Sequence, residues 1–359
     1  MAKLPRVLAI VLAGGTGGRL KPLTNGRAKP VVPFGGVFRL IDFALTNCLH
    51  SELRDVWVVE QYEPHGLNDH LANGRPWDLD RTEGGLQVLP PYQGEGEDGF
   101  AEGNAEALKH QSKAIAAFEP DVVLTMSADH VIRLDLREVL EFHLGHGKGL
   151  TMVTKELPGE DVSRYGVVGV EGQRVVGFEY KPEKPKGHTV ATEVFAYNGP
   201  ALLKALEEAG EGDYGETLVP YFVERDEARA FRLEGYWRDV GTLSSYLQGH
   251  LDLVDHVFDL DDGPWPLRTR TLAREPARIS GALKDALVSP GARVEGKVIR
   301  SVVGHGAAVE RGAEIEECVL LDGAVVTQGA TLRRCIVMEG VRVQGSETGS
   351  LEEPRVIEE

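Results

Sequence analysis

A glycine loop with four cations is the richest candidate site in the sequence. It spans residues 12–30 and follows an apolar run, residues 7–13, that has the pattern of a buried strand. Glycines in such a loop expose backbone N–H groups to a polyphosphate. The loop contains no acidic residue, and its cations are Arg19, Lys21, Arg27 and Lys29. We expect it to form a local basic pocket for a small phosphate compound; the alternative is a flexible turn with solvated charges.

This loop does not match either of two common phosphate-binding motifs. A Walker A loop closes with Gly-Lys-Ser/Thr, which residues 12–30 lack. The dinucleotide fingerprint requires a third glycine at the position of Leu20. The loop therefore indicates phosphate binding without identifying the compound.

Two acidic residues, Asp129 and Asp239, are candidates for a shared metal site. Asp129 closely follows the apolar run 122–126, and Asp239 precedes a predicted helix that opens at Thr242. Ligands of α/β sheets bind at the carboxyl ends of strands. Two carboxylates gathered there could hold one Mg²⁺ against nucleotide phosphates. In the alternative, Asp239 caps a helix or turn and Asp129 pairs with a neighbouring base.

The remaining polar clusters are weaker candidates. Lys181, with Lys184 and Lys186 nearby, could hold a sugar phosphate, although a lysine run before prolines is more often a solvated loop. His143 and His146 are expected to face solvent on a helix. No Ser/His/Asp or Cys/His arrangement indicates a protein nucleophile.

The composition argues against large polyanions as partners. The chain of 359 residues carries 39 Lys+Arg against 56 Asp+Glu, a net charge of −17. Such a surface repels nucleic acid and anionic lipid. No apolar run reaches the ~18 residues of a transmembrane helix, and the first residues lack a signal-peptide cleavage pattern. We therefore expect a cytoplasmic protein with no nucleic-acid or membrane partner.

Up to about residue 250, apolar runs alternate with helical patterns. Strands are expected at 7–13, 56–61, 122–126 and 150–155, and helices at 43–50, 105–118 and 136–146. This alternation predicts an α/β domain with a Rossmann-like, mostly parallel mixed sheet. The polar, glycine-rich stretch 73–104 is expected to form a functional loop.

After residue 280 the pattern changes to a six-residue repeat. Aliphatic residues recur at this step in Val303, Val309, Ile315 and Leu321. Glycine followed by a small or β-branched residue recurs from Gly291 to Gly340, and from Gly306 on the spacings are 6, 11, 6 and 11. Such a period predicts short strands that turn corners, three to a triangular coil, with glycines at the corners. We expect a left-handed parallel β-helix; irregular hairpins are the alternative.

The repeat also predicts the environment of two cysteines and the domain boundaries. The 17-residue offset places Cys318 and Cys335 at equivalent positions in neighbouring coils, so we expect two stacked, reduced core residues. We expect a catalytic domain over 1–250, a linker over 251–280 and the β-helix over 281–346. The polar, acidic tail 347–359 is expected to be disordered or to cover an edge.

Motifs along nearly the whole chain resemble the bacterial glucose-1-phosphate adenylyltransferases, also called ADP-glucose pyrophosphorylases, a family of sugar nucleotidyltransferases. The matching segments are 12–19, 27–30, 33–36, 39–48, 61–62, 103–108, 127–130, 165–168, 213–215 and 236–242. The early motifs are specific to this family. Asp129 and Lys181 alone would fit any sugar nucleotidyltransferase.

The resemblance implies a reaction in which ATP and glucose 1-phosphate give ADP-glucose and pyrophosphate, for glycogen or α-glucan synthesis. It implies Mg²⁺ as the cofactor and a homotetramer as the assembly. Arg19, Lys29 and Asp129 would be catalytic, and Asp129 and Asp239 would bind the metal. The nucleotide would contact Leu12, Gly14, Gly15, Thr16, Gly17, Gln93, Gly103 and Asn104. The sugar phosphate would contact Gly166, Lys181, Glu193, Asp213 and Trp237.

The chain departs from this family at several positions. Thr16 replaces a common arginine, and Tyr180 replaces the glutamate before the sugar-phosphate lysine. Glu193 ends the segment that replaces a Ser-Met-Gly stretch, and it could accept hydrogen bonds from sugar hydroxyls. Gly26 and Glu102 stand where relatives carry basic residues for a sugar-bisphosphate activator. We therefore expect fructose 1,6-bisphosphate to activate weakly or not at all.

Two alternative functions remain open at this point. The first is transfer of another nucleotide to another sugar 1-phosphate. The second is a non-catalytic regulatory subunit, which the presence of Lys29 and Asp129 argues against.

Overall fold

The computed structural model describes residues 5–14, 17–61, 63–90, 103–210, 212–271 and 273–359. Within these ranges, no helix is both long and apolar enough to cross a membrane.

The N-terminal part of the described chain contains strands and helices in alternation. Its strands are β1 (Val7–Ala13), β2 (Pro33–Phe34), β3 (Phe38–Arg39), β4 (Asp55–Glu60), β5 (Gly85–Leu89), β6 (Val122–Ser127), β7 (His130–Ile132), β8 (Leu150–Glu156), β9 (Gly166–Glu171), β10 (Arg174–Tyr180), β11 (Thr189–Asn198), β12 (Ala228–Arg232), β13 (Trp237–Asp239), β14 (Asp261–Asp262) and β15 (Trp265–Pro266). Its helices are α1 (Ile41–His50), α2 (Pro64–Leu71), α3 (Asn104–His110), α4 (Ser112–Phe118), α5 (Leu136–His146), α6 (Gly199–Glu208), α7 (Leu218–Glu224) and α8 (Leu243–Val254). Short 3-10 turns occupy Gly18–Leu20, Lys29–Val31 and Ala72–Trp77.

Nine strands form one mixed sheet in the order β5-β4-β1-β6-β11-β8-β12-β10-β9. Strands β5, β4, β1 and β6 are parallel. Beyond β6 the sheet becomes largely antiparallel, because β11 runs back between β6 and β8 and pairs antiparallel with both. The predicted α/β class with a mixed sheet is confirmed; its parallel pairings join β5, β4, β1 and β6 in one half and β8 with β12 in the other.

The central strand β1 is apolar throughout because both of its faces are covered. Ala9 and Val11 belong to one buried cluster, and Leu8 and Ile10 belong to another on the opposite face. Parallel strands covered on both sides have this continuous apolar pattern. The carboxyl ends of β1, β4 and β6 consequently lie side by side at one edge.

Three local expectations are wrong. The helix expected over 105–118 is interrupted at Gln111, which separates α3 from α4. Within 73–104, residues 85–89 are the edge strand β5, which pairs with β4. His143 is buried, not solvent-facing, and both His143 and His146 contact the Thr151 hydroxyl, at 2.9 and 2.7 Å.

Residues 278–357 form a parallel β-helix of three five-stranded sheets. Its strands are β16 (Arg278–Ile279), β17 (Ala282–Lys284), β18 (Leu287–Val288), β19 (Arg293–Val294), β20 (Lys297–Ile299), β21 (Val302–Val303), β22 (Ala308–Val309), β23 (Glu314–Glu316), β24 (Val319–Leu320), β25 (Val325–Val326), β26 (Thr331–Arg333), β27 (Cys335–Val337), β28 (Arg342–Val343), β29 (Ser346–Thr348) and β30 (Arg355–Ile357). The expected left-handed parallel β-helix is confirmed.

The repeat residues occupy the positions that their period predicts. Gly306, Gly323 and Gly340 lie at corners with φ of 63°, 70° and 71°, a conformation that glycine adopts without steric cost. Cys318 and Cys335 are buried free thiols in adjacent coils, with the Cys335 N–H 3.4 Å from Cys318 Sγ. The expected stacking of the two cysteines is confirmed.

The β-helix extends beyond the range that the repeat indicated. It begins with β16, and β29 and β30 pair with β26 and β27 in the last coil. Within the expected polar tail 347–359, residues 347–348 and 355–357 are paired strand, so the expectation of disorder is wrong; β30 lies at the end of its sheet, in accord with the alternative that the segment covers an edge. A terminal coil needs few inward aliphatic residues, so the polar composition concealed it. Residues 251–280 contain the end of α8 and the β14–β15 hairpin as well as connecting chain.

Candidate active site

A cavity of about 410 Å³ opens at the carboxyl ends of the parallel strands, the usual ligand position in an α/β sheet. It is lined by Leu12, Gly14, Gly17, Gly18, Arg19, Lys29, Gln61, Gly103, Asn104, Ser127, Asp129, Lys181, Glu193, Asp213 and Gly241. Residues that are far apart in the sequence therefore meet in one space.

The glycine loop is held compactly at the mouth of this cavity. Gly17 has φ of 61°, and its carbonyl accepts a hydrogen bond from the Thr24 hydroxyl at 3.0 Å. A Cβ atom at Gly17 would lie 2.7 Å from Thr24 Cγ2. Only glycine fits there without displacing Thr24, and this close packing brings Arg19 and Lys29 to the same cavity.

The four cations of the loop do not share one pocket, so that expectation is wrong. Arg19 and Lys29 line the cavity, whereas Lys21 is exposed and is not part of the lining. Arg27 forms a bidentate ion pair with Glu339 of the β-helix, at 2.6 and 2.5 Å. Arg27 and Lys29 are two residues apart, yet Arg27 contacts Glu339 and Lys29 contacts Asp129, a difference that a linear charge count does not reveal.

Two short strands bring the candidate metal ligands together. β7 pairs antiparallel with β13, so that His130 lies opposite Asp239, and Asp129 immediately precedes β7. The Lys29 ammonium contacts the Asp129 carboxylate and lies 3.9 Å from Asp239 Oδ1. The Ser127 hydroxyl hydrogen-bonds to Asp129. Asp129 and Asp239 therefore share a cation in the structure.

The charges of this cluster stabilise one another. Burial opposes ionisation of Asp129, but Lys29 and His130 outweigh it and hold the pKa of Asp129 below its usual value. Burial would lower the pKa of Lys29, yet Asp129 and Asp239 raise it. Burial likewise opposes the charge on His130, and the carboxylates of Asp129, Glu193 and Asp239 raise its pKa. The cluster thus favours a buried positive charge beside the ionised Asp129 carboxylate.

This donor set fits a divalent cation. Ligand atoms of Asp129, His130 and Asp239 all lie within 4.8 Å of one another. Carboxylate oxygens are preferred ligands of Mg²⁺, and the two aspartates already neutralise one cation, Lys29.

Lys181, Glu193 and Asp213 line another part of the same cavity. Lys181 Nζ lies 2.5 Å from the Tyr180 hydroxyl and 3.9 Å from Asp213 Oδ2. The Tyr214 hydroxyl donates to Glu193 Oε1 at 2.9 Å. Lys181 and Glu193 have positive φ angles of 47° and 58°. Such conformations are costly for residues other than glycine and cluster at functional sites.

Some expected site residues lie elsewhere. Gly166 packs against Phe178 and is not in the cavity lining; a Cβ there would lie 2.6 Å from the Phe178 ring. Trp237 is buried behind His130, with its indole nitrogen 3.3 Å from His130 Nδ1. Any influence of these two residues on a ligand would therefore be indirect. The expectations for Gly15, Thr16 and Gln93 fall on residues outside the described ranges.

The structure adds lining residues to which the sequence assigned no role, notably Gln61 and Ser127. The Gln61 side chain lies close to Gly14: a Cβ atom added at Gly14 would lie 2.1 Å from Gln61 Oε1. Gln61 Nε2 is buried, and it has no hydrogen-bond partner among the described residues. A signal was present: Gln61 directly follows β4 and Ser127 ends β6, so both lie at carboxyl ends of parallel strands.

Comparisons with known proteins agree with this arrangement. A family model described as nucleotidyl transferase matches residues 8–256. A second model, described as GlmU-like, C-terminal hexapeptide, matches residues 270–350. The two matches correspond to the sheet domain and the β-helix.

Relatives similar over most of the chain are named glucose-1-phosphate adenylyltransferase. The protein from Thermotoga neapolitana is 38% identical over 323 residues, which cover 86% of this chain and 76% of the relative. The protein from Geobacillus stearothermophilus is 37% identical over 322 residues, which cover 87% of this chain and 83% of the relative. The protein from Fusobacterium nucleatum is 35% identical over 325 residues, which cover 87% of this chain and 85% of the relative.

Enzymes of this nucleotidyltransferase type generally use a divalent metal ion, in accord with the paired aspartates. The fold, the cavity at the strand ends and the similarity over most of the chain lead to one assignment. The chain belongs to the glucose-1-phosphate adenylyltransferase family of nucleotidyltransferases.

Proposed function

We propose that this chain transfers the adenylyl group of ATP to glucose 1-phosphate, giving ADP-glucose and pyrophosphate. One observation carries the proposal: a single cavity joins the glycine loop with its two cations, Asp129 and the Lys181–Asp213 region, with Asp239 3.9 Å from the Lys29 ammonium. These groups suit the binding of a nucleoside triphosphate next to a second phosphate compound. The names of the relatives specify the substrates.

The reaction requires positioning and charge neutralisation, with no protein nucleophile. A phosphate oxygen of glucose 1-phosphate attacks the α-phosphorus of ATP in line. A new O–P bond forms, the bond from the α-phosphorus to the bridging oxygen breaks, and pyrophosphate leaves with the electron pair. Arg19 and Lys29 would neutralise charge on the phosphates, and the backbone at Gly14 and Gly17 allows their close approach.

Mg²⁺ is the divalent ion that we propose for this site. Asp129 and Asp239 would hold it, since they supply oxygen ligands and already compensate a buried cation. When bound, it would neutralise negative charge on the nucleotide phosphates.

The cavity lining suggests how the substrates are divided. Leu12, Gly14, Gly17, Gly103 and Asn104 would contact the nucleotide, and beside them lies the Gln61 amide nitrogen, which has no hydrogen-bond partner in the described part of the chain. Lys181 would hold the sugar phosphate, with Asp213 and Glu193 available to accept sugar hydroxyl hydrogen bonds.

The direct test is pyrophosphate release with a panel of nucleoside triphosphates against a panel of sugar 1-phosphates. ATP with glucose 1-phosphate should give the highest kcat/KM. A better rate with another pair would refute the substrate assignment but retain the reaction class. No release with any pair would identify a non-catalytic subunit.

We also propose a cytoplasmic homotetramer. The support is family membership together with a β-helix whose first strands are exposed. Light scattering should give four times the chain mass of 39.1 kDa; a monomer or dimer at assay concentration would refute the tetramer.

A further inference from the structure

The β-helix packs directly against the loop that carries Arg19 and Lys29. A single hydrophobic cluster joins three segments of the chain. It contains Leu20 and Leu23 of the loop, Tyr246 and Leu247 of helix α8, and the outward-facing Val302, Val319 and Ile336 of the β-helix. At Gly36, a Cβ atom would lie 2.2 Å from Ser289 Oγ. The surroundings of the loop are therefore built partly by the second domain.

Three polar residues form a column at one corner of the β-helix, which we call the corner column: His305, Asp322 and Glu339. His305 and Asp322 are 17 residues apart, and Glu339 follows at the same interval, so each occupies the same place in successive coils. The Gly323 N–H donates to the His305 carbonyl at 2.7 Å, and the Gly340 N–H donates to the Asp322 carbonyl at 3.0 Å. The column is thus fixed by the regular stacking of the coils.

The corner column faces the arginines of the N-terminal domain. Arg27 makes its bidentate ion pair with Glu339, and the Arg39 guanidinium lies 3.9 Å from Asp322. A bidentate arginine–carboxylate pair fixes orientation as well as distance. Both side chains of the Arg27–Glu339 pair are about one quarter exposed, at 24% and 30%, so solvent screens this pair only in part.

Arg27 is close in sequence to the catalytic cation. It precedes Lys29 by two residues, and the intervening Ala28 and the following Pro30 and Val31 are buried. Buried backbone transmits displacement, because packed side chains leave little room for local adjustment. A shift of Arg27 would therefore move Lys29 relative to Asp129 and Asp239.

We propose that Glu339 is a positioning residue for the reaction: by holding Arg27, it fixes the segment that places Lys29 in the cavity. The proposal rests on the proposed function, because its effect is measured on turnover. In-line transfer depends strongly on position, and a displacement of ~1 Å can cost ~100-fold in rate. Loss of a remote contact typically has a smaller effect, so we expect Glu339→Gln to lower kcat about tenfold.

The chain provides a matched control in a second ion pair between the two domains. Arg300 of the β-helix pairs with Asp255, which follows α8, through two contacts at 2.9 and 2.6 Å. Its side chains have similar exposure, 33% and 36%. This pair does not involve the loop of residues 17–31, so Asp255→Asn should lower stability without changing kcat.

The experiment compares the full-length wild type with Glu339→Gln, Asp255→Asn and the charge-reversed pair Arg27→Glu/Glu339→Arg. It measures kcat, both KM values and Tm. We expect Glu339→Gln to reduce kcat about tenfold with KM values within about twofold of wild type, and the reversed pair to recover most of the loss. Asp255→Asn should shift Tm by a similar amount to Glu339→Gln and retain wild-type kcat.

Unchanged kcat in Glu339→Gln would overturn the proposal, as would equal losses of kcat in Glu339→Gln and Asp255→Asn, or no recovery in the reversed pair. If Glu339→Gln cannot be purified folded, Glu339→Asp supplies the same comparison by shortening the side chain. Failure of the proposed function is distinguishable, since the wild type would then prefer another substrate pair in the panel, and kcat would be compared with that pair.

Discussion

Among the individual residues of the site, Lys29 and Asp129 depend on each other for their charge states. Each would be unfavourable alone in a buried position, and together they compensate. The same group of residues suits phosphate chemistry, because a cation held by carboxylates can also interact with the phosphates of a substrate. Changes at these residues should therefore affect catalysis more than folding.

Asp129→Asn keeps the size of the side chain and removes its charge. If Asp129 holds the metal ion as proposed, turnover should fall at least about 100-fold, since loss of such a ligand removes several kcal/mol of transition-state stabilisation. Pyrophosphate release measures the loss, with Tm as a check of folding. Glu156→Gln, which removes an exposed partner of Arg232, is the control. Retention of more than about 1% of the rate would refute the role of Asp129.

Glu193→Gln tests whether this carboxylate contacts the sugar. A charged acceptor contributes about 1.5–3 kcal/mol to a hydrogen bond, so KM for glucose 1-phosphate should rise at least about tenfold while KM for ATP stays within about twofold. The control is Glu179→Gln, which removes a partner of the exposed Lys186. Equal changes in both KM values would contradict a role confined to the sugar.

At the scale of elements, helix α5 is attached to β8 by two histidines that share one threonine. Burial and the neighbouring His146 lower the pKa of His143 to about 4, and burial also lowers the pKa of His146. The Thr151 hydroxyl has two acceptor lone pairs and could accept a hydrogen bond from both rings, but protonation of both rings would place two positive charges side by side in a partly buried position. The contact between α5 and β8 is therefore sensitive to acid.

The sign of this pH dependence follows from the direction of the shift. An unfolded histidine titrates near 6.5, above the folded pKa of about 4 for His143. The unfolded state thus binds more protons in this interval, so the free energy of unfolding should decrease as pH falls from about 6.5 to about 4. The decrease in the free energy of unfolding that is attributable to His143 is at most about 3 kcal/mol.

Urea denaturation at pH 7, 5 and 4 measures this effect. His143→Gln should make the free energy of unfolding less dependent on pH in this interval. Some dependence should remain, because burial also lowers the pKa of His250 to about 4. The exposed His256, replaced by Gln, serves as the control and should leave the profile unchanged. A His143→Gln profile parallel to that of the wild type would rule out this contribution.

In the whole molecule, the interface between the two domains pairs two arginines with acidic residues. Arg27 and Arg39 line a cavity of about 390 Å³ with Gly26 and His305, yet both arginines face acids of the corner column. Gly26 contributes no charge. The positive charges of Arg27 and Arg39 are therefore compensated by acidic residues within the domain interface.

Fructose 1,6-bisphosphate should consequently activate weakly or not at all. It would have to displace Glu339 and Asp322 from Arg27 and Arg39 before gaining their charge. A titration of kcat and KM against the bisphosphate measures the response, with inorganic phosphate at equal ionic strength as the control. Activation above about fivefold, the scale of ordinary allosteric coupling, would contradict the expectation.

Local patterns were sufficient wherever structure depends on short-range periodicity. Strand β1 and helix α5 lie where the apolar spacing placed them, and the corner glycines have the positive φ that their interval required. The break at Gln111 and strand β5 were missed, because neither changes the local polarity pattern strongly. The last coil was missed because neighbouring coils, more than its own composition, hold it in place.

Residue types and their spacing set the chemistry available to this protein: a glycine loop with cations, two candidate acids, Asp129 and Asp239, and a six-residue repeat. Periodicity and residue type are local properties, so they can be inferred without coordinates. Which of those groups meet depends on the packing of distant segments. Arg19 and Lys29 enter the cavity, whereas Arg27 turns to Glu339, 312 residues away. Trp237 lies behind His130. These outcomes depend on how distant segments pack, and no local pattern encodes that direction.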